Sequence, residues 1–425
     1  MKKFIATAAT FIFIYPIFIR YFPLPLDRIL QIFGLVLLLF NTPDLKKLIS
    51  NRGFVSFLRI TFILFLLALI PIFMKTGQLD FYFLKTVFDT YLNFFSAYFL
   101  FFAIRQYGGN EKPLVNLLRL IAISAVIQAL VSSIFFINSG LFDIYSSILR
   151  EDTNEKLFRR LTTLNKRFIG IGSQFFSGVI KYGFAFFSVL ILPYISEIKW
   201  VKNRLLYGLV VSIIIVGGLL TGRTFFVALI LGLVMIMILN SRSITKLISL
   251  NIKVLFATIV FLPFIYYVAL ITIDTSRVET ITNYVFELFI NLSEEGELST
   301  TSTDATLSMY KFPESTRTWL LGDGQMLNDD NSYYMRTDVG YIRLIFYFGL
   351  PSTIIFAFIL LRYQAILSRM AHSRPLKVYF FFLSVWILLL NFKGLTFDTQ
   401  YFVVLLLFMT LSNPKKNETF KLRER

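Results

Sequence analysis

The feature that most constrains this chain is its apolar blocks, each close to twenty residues, which recur along most of its length. A hydrocarbon core about 30 Å thick needs about 20 residues of helix to cross it. In that medium every backbone N–H and C=O must be satisfied internally, so only helices or a closed barrel can span it. Barrel strands alternate apolar and polar residues, and these blocks do not. The sequence therefore predicts an all-α, polytopic membrane protein. Charged residues make up 16%, against roughly a quarter in soluble domains. The blocks fall near 4–22, 28–40, 54–74, 82–104, 116–137, 170–195, 205–221, 224–240, 253–272, 338–361, 377–392 and 397–412. That is about twelve spans in one transmembrane domain, 1–425, with both termini on one side. Met1-Lys2-Lys3 before an apolar run has the form of a signal peptide. No small-residue cleavage site closes it, so 4–22 reads as the first span.

The net charge of +17 would suggest nucleic acid if it were spread evenly. It is not. On the side holding the N-terminus, twenty-three basic residues face five acidic ones, a net of +18, and the remainder sums to −1. By the positive-inside rule these loops, and the tail 413–425, are cytoplasmic. The basic excess is then a topology signal, and nucleic acid is excluded as a partner.

Two loops on the opposite face are long. The basic loop 138–168 carries Leu157, Leu161, Leu164 and Phe168 at helical spacing, which predicts an amphipathic interfacial helix touching lipid headgroups. The loop 273–337 holds eleven acidic and four basic residues. In it Val278, Ile281, Val285 and Leu288 line one helical face opposite Glu279, Asn283 and Glu287, and the Ser/Thr-rich stretch 299–306 reads as a mobile segment. Long loops on compact domains are usually functional or disordered, so this one suggests a lid or substrate platform.

Much chemistry is excluded. There is no cysteine, hence no disulfide, thiolate metal site or cysteine nucleophile. The single histidine, His372, falls in a cytoplasmic connection and reads as a solvated loop residue. No Walker A motif is present. Asp329-Asp330 reads as solvated loop rather than a metal pair. Neither a metal nor a cofactor is expected. Among ionisable residues inside spans, Lys85 and Asp89 lie i,i+4 and can neutralise each other, and Arg59 can snorkel. Lys181, between Gly178 and Gly183, has no partner assignable from sequence.

Arginines gather at the predicted outer boundary. Arg167 precedes Gly170-Ile171-Gly172-Ser173, Arg223 sits in the tight turn Leu220-Thr221-Gly222-Arg223-Thr224, and Arg343 lies one turn into the tenth span. Arg336, seven residues earlier, falls on nearly the same helical face as Arg343. The planar guanidinium suits bidentate phosphate recognition, and a lipid-linked pyrophosphate needs several such cations. Snorkelling or ion pairing is the alternative for each. Asp338 opens the tenth span, either as a first-turn acid favoured by the helix dipole or as a carboxylate beside Arg336 and Arg343.

Trp319-Leu320-Leu321-Gly322-Asp323-Gly324, then Thr337-Asp338-Val339-Gly340-Tyr341-Ile342, then Phe348-Gly349-Leu350, resembles the C-terminal half of bacterial O-antigen polymerases (Wzy-type). Leu220–Thr224 looks like the "(S/G)R(S/T)" turn of the wider polymerase and ligase superfamily, and Arg167-Phe168-Ile169-Gly170 like its "RxxG" element. Arg159, with ten residues before Gly170, fits an "RX10G" pattern. The ligases carry a histidine in the large periplasmic loop and this chain has none there, which favours polymerase. The resemblance implies a GT-C-like architecture in the bacterial inner membrane. It also implies polymerisation of undecaprenyl-pyrophosphate-linked repeat units, donor and acceptor alike, at the periplasmic face, and leaves room for a chain-length regulator. Arg167, Arg223, Arg343, Arg336 and Arg159 would hold the departing pyrophosphate, and Asp338 or Asp323 would accept the hydroxyl proton. A lipid-linked glycan flippase, an O-antigen ligase and a membrane acyltransferase are the competing readings. The missing repeat speaks against the first and the missing histidine against the others.

Overall fold

The computed structural model describes residues 2–20, 22, 24–74, 80–107, 112–149, 169–173, 175–241, 275–294, 296, 300–328, 330, 332–397 and 399–412. Among these residues there is no β-structure beyond isolated bridges. Six helices are long and apolar enough to cross a bilayer: Arg52–Phe73, Tyr82–Gln106, Pro113–Ile137, Phe175–Ile195, Arg204–Thr221 and Gly340–Met370. Leu26–Phe40 and Thr42–Ser50, bent by 93°, make a seventh if taken as one span. Lys3–Ile14, Phe225–Asn240 and Gln400–Leu411 are shorter apolar helices. The chain is thus an all-helical, multi-pass membrane protein.

A helix stands in every predicted block that falls within the described residues; the block 253–272 lies outside them. The first helix, Lys2–Ile14, stops well before residue 22 because Tyr15 precedes Pro16, which lacks an N–H and disfavours helical geometry before it. The 93° bend has a similar cause. Asn41 ends one helix, Pro43 can only open the next, and Asp44 anchors the corner. Asp44 accepts from Asn41 Nδ2 (3.0 Å), Tyr98 Oη (3.1 Å) and Arg105 Nη1 (3.4 Å). In the loop 138–168 a helix, Ser139–Ile148, comes first; the predicted amphipathic segment and the tail 413–425 lie outside the described residues.

The chain divides into two compact units. One comprises residues 1–29 and 115–303. At its centre Phe175–Ile195 is buried without interruption from Gly178 to Leu192, the pattern of a helix apolar all round. Arg204–Thr221 and Phe225–Asn240 pack against it. The Thr275–Glu294 helix of the loop 273–337 packs on Arg204–Thr221.

The other unit comprises residues 30–114 and 304–425. Its innermost helix, Thr399–Leu411, is buried from Tyr401 to Leu411 among Arg52–Met74, Tyr82–Tyr107 and Gly340–Met370. Lys47 Nζ closes that helix by donating to the Leu411 carbonyl (2.6 Å), a cation at the negative end of the dipole. In the Ser/Thr-rich stretch, which runs across the boundary between the units, Thr301–Ser308 is a helix. Thr300 caps its first turn, its hydroxyl accepting from the Thr303 amide at 3.1 Å.

Candidate functional site

The motif segments of the second unit interlock. Gly340–Met370 breaks at Gly349 (φ 77°, ψ 168°), and Pro351 has no N–H to give the Tyr347 carbonyl, its normal helical acceptor. The preceding loop makes the repair. Gly324 N donates to Tyr347 O (3.2 Å) and Asp323 N to Phe346 O (2.5 Å). The approach tolerates no side chain at two positions. A Cβ at Gly322 (φ 73°) would stand 2.3 Å from the Tyr347 carbonyl oxygen, and one at Gly349 would stand 2.4 Å from the Leu320 carbonyl oxygen. Below this interlock Val339, Ile342, Ile345 and Phe346 form a small core that Trp319 and Tyr334 cover.

Asp323, a candidate base, is held inside the interlock. Its carboxylate accepts from Thr318 Oγ1 (2.7 Å) and Tyr334 Oη (3.2 Å). Burial, and after it the Asp323 charge and bond, push the Tyr334 phenol above its usual pKa. Asp80 pins the next stretch, accepting from the amides of Met326 (2.6 Å), Leu327 (3.1 Å) and Tyr82 (2.8 Å). Asp338 does not begin the span. The helix starts at Gly340 with Val339 as its cap residue, so Asp338 is exposed two residues outside it. Arg336 does not share a helical face with Arg343 either. It ends a 3₁₀ turn, Tyr334–Arg336, in which Met335 (φ 56°) and Arg336 (φ 52°) are both left-handed, and it is exposed.

Arg343 is where the sequence places it, in the first turn of the helix, and it is 5% exposed. Its guanidinium carbon lies 3.9 Å from the Tyr333 ring centroid and 5.8 Å from that of Tyr82. Nε and Nη2 are both buried, and neither has a hydrogen-bond partner among the described residues. These two nitrogens form one edge of the guanidinium, the fork that matches two oxygens of a phosphate or carboxylate. Leaving a buried donor unsatisfied costs about 1–3 kcal/mol, more for a charged group. The two left-handed residues carry Tyr333 into its place; strain of this kind, of order 1–3 kcal/mol per residue, gathers at functional sites.

Arg223 belongs to the first unit and has a protein partner. It forms an ion pair with Glu287 of the Thr275–Glu294 helix and lies 4.5 Å from the Tyr284 ring centroid. The other Glu287 oxygen accepts from Thr301 N (2.7 Å) and Thr301 Oγ1 (2.8 Å). One carboxylate therefore ties the membrane turn, the Thr275–Glu294 helix and the start of Thr301–Ser308 together. Burial pushes the Glu287 carboxyl up, but the Thr301 bonds and the Arg223 charge outweigh it and hold the pKa below its usual value. Lys181 also finds a partner, donating to the Gly172 carbonyl (2.7 Å) 5.3 Å from the Tyr15 ring centroid. Arg159 and Arg167 lie outside the described residues.

Tyr333, Tyr82, Asp80 and Glu287 were not singled out for these roles by the sequence reading. Asp80 carries a signal, an acid two residues before a helix start. Tyr333 and Glu287 reach their partners only through tertiary contacts. His372 is exposed between two helices. No group of three or more His, Cys, Asp or Glu residues that could hold a metal occurs among the described residues. No protein-family model, curated protein or solved structure matches this chain.

Proposed function

We propose that this protein polymerises undecaprenyl-pyrophosphate-linked oligosaccharide repeats into O-antigen or a related surface polysaccharide, acting as a metal-independent glycosyltransferase at the periplasmic face of the bacterial inner membrane. The observation that carries the proposal is the buried fork of Arg343, without a hydrogen-bond partner among the described residues, set where the three polymerase-like motif segments converge. The reducing-end C1 of one lipid-linked glycan is attacked by a hydroxyl of another, and the lipid pyrophosphate departs. Arg343 takes two oxygens of the leaving pyrophosphate along its open edge, and a cation fixed there stabilises charge as it develops. Arg336, exposed at the loop exit, supplies a second cation. Arg159 and Arg167, which lie outside the described residues, are proposed as further cations for the pyrophosphate. Arg223, held by Glu287, reaches pyrophosphate only by exchanging that carboxylate for the ligand. Of the two candidate bases, Asp338 is the accessible one, because Thr318 and Tyr334 occupy the Asp323 oxygens.

The proposed topology has twelve crossings and cytoplasmic termini in a GT-C-like arrangement; beyond the six long helices it counts the bent pair, the three short apolar helices, Arg374–Leu390 and the block 253–272, which lies outside the described residues. The test is a deletion strain. Surface glycans reduced to a single repeat, with long chains restored by the wild-type gene and not by one encoding Arg343→Ala, are the expected result. Complete loss of surface glycan points instead to a flippase or ligase.

A further inference from the structure

The aromatic pair ahead of the interlock is not used by the pyrophosphate chemistry. Phe312 and Trp319 stack with ring planes 10° apart and centroids 6.0 Å apart. Trp319 is locked on its inner side, its indole N–H donating to the Pro313 carbonyl at 2.8 Å, and it packs on the Val339–Phe346 core. Ser315 caps the short helix that carries it, accepting from the Thr318 amide at 3.0 Å. Phe312 is 58% exposed although it is stacked on Trp319. The residues on either side of the Phe312-Pro313 step, Lys311, Glu314 and Arg317, are exposed too.

An exposed Phe on this face has two uses. As a bilayer anchor it would draw Lys311, Glu314 and Arg317 toward the apolar interior, which is unfavourable for charged groups. The exposed pair Leu320 and Leu321, at the far end of the same helix, suits that role better. As a platform it offers a rigid, flat, electron-rich face with hydrogen-bonding side chains around it. The axial C–H groups on one side of a pyranose carry slight positive charge and are attracted to such a ring face. Charged and hydroxyl side chains at the rim then meet the equatorial hydroxyls, as in sites where a few polar groups orient a ligand on an apolar surface.

We infer that the Phe312–Trp319 stack is a saccharide subsite that holds a pyranose ring of the lipid-linked repeat by its face, away from the pyrophosphate. This rests on the polymerase activity proposed above. A contact made equally in ground state and transition state changes KM and leaves kcat alone. The experiment uses the full chain in lipid nanodiscs, with the lipid-linked repeat that accumulates in the deletion strain as substrate and initial rates read from chain extension. For Phe312→Ala and Phe312→Leu, KM should rise about three- to tenfold with kcat unchanged, whereas Phe312→Trp keeps the wild-type KM. Leu keeps the apolar bulk and loses the ring face, so it separates stacking from membrane anchoring and stands in if the Ala variant does not fold. A wild-type KM in Phe312→Leu overturns the subsite. Wild-type protein that extends no chains overturns the polymerase reading instead, and the two failures are distinct.

Discussion

Replacing Arg343 by methionine should abolish chain extension while leaving the protein at least as stable as the wild type. The substitution keeps an unbranched side chain of similar reach but removes the guanidinium. Two of its buried donors, Nε and Nη2, have no partner among the described residues. At about 1–3 kcal/mol each, their removal relieves roughly 2–6 kcal/mol. Against this stands the lost cation–π contact with Tyr333, worth about 2 kcal/mol when desolvated. The balance runs from about zero to about 4 kcal/mol in favour of the variant. The assay is thermal unfolding of purified protein in nanodiscs, with and without inorganic pyrophosphate. Wild-type protein should gain about 2.7 kcal/mol at a ligand concentration a hundred times Kd, and Arg343→Met should gain nothing. A structural arginine gives the opposite pattern, since removing one partner of a satisfied buried pair costs about 3–5 kcal/mol. A methionine variant that unfolds earlier than wild type, or that still makes long chains, refutes the reasoning.

Gly349→Ala should deplete folded protein, because the new Cβ meets the Leu320 carbonyl at a positive φ; detergent-soluble monodisperse yield reads this, and wild-type yield would contradict the interlock. Arg223→Ala and Glu287→Ala should each destabilise by about 1.5–3 kcal/mol, and the double variant should cost less than their sum, as a double-mutant cycle of unfolding reports. Because the Glu287 pKa is lowered on folding, its contribution is present above the unfolded value near 4.5 and is lost as pH falls through the folded value. Glu287→Gln should therefore flatten the acid side of the stability–pH curve, and an unchanged acid limb would show that the ion pair is not maintained. Cysteines introduced at Ser308 and His372 of this cysteine-free chain, both exposed, should label from opposite sides of the membrane, and labelling from one side would overturn the topology.

What the sequence could reveal followed the range of the interactions involved. Helix positions were legible because lipid demands long apolar blocks, and Arg343 and Arg223 were legible because block ends locate residues in depth. The break at Gly349 was not anticipated, since 338–361 reads as one apolar span, although Gly349 and Pro351 stand two residues apart within it. The partners were not visible. Glu287 lies 64 residues from Arg223 on a separate helix, and nothing local to either marks the pair. The Lys181 acceptor is a backbone carbonyl, which has no sequence signature. Asp338 and Arg336 were misplaced for one reason: apolar periodicity was extended past Gly340, whereas two consecutive left-handed residues turn the chain out of helical register. The Ser/Thr-rich stretch looked mobile from composition alone, but the carboxylate of Glu287 supplies a helix start that its own residues only partly encode.

The repair of the Gly349 break also bears on how the protein is assembled in the membrane. A span is ordinarily inserted as a finished unit, because its backbone groups are satisfied within its own turns. Gly340–Met370 is not finished on its own, since the Tyr347 carbonyl has no donor within the helix and takes one from Gly324. An open carbonyl at that depth costs several kcal/mol until the donor arrives. The span therefore has this donor only once the preceding loop has folded back onto it. Loop and membrane helix then form a single cooperative element, and a lesion at Gly322 or Gly324 should surface as a biogenesis defect before any loss of activity.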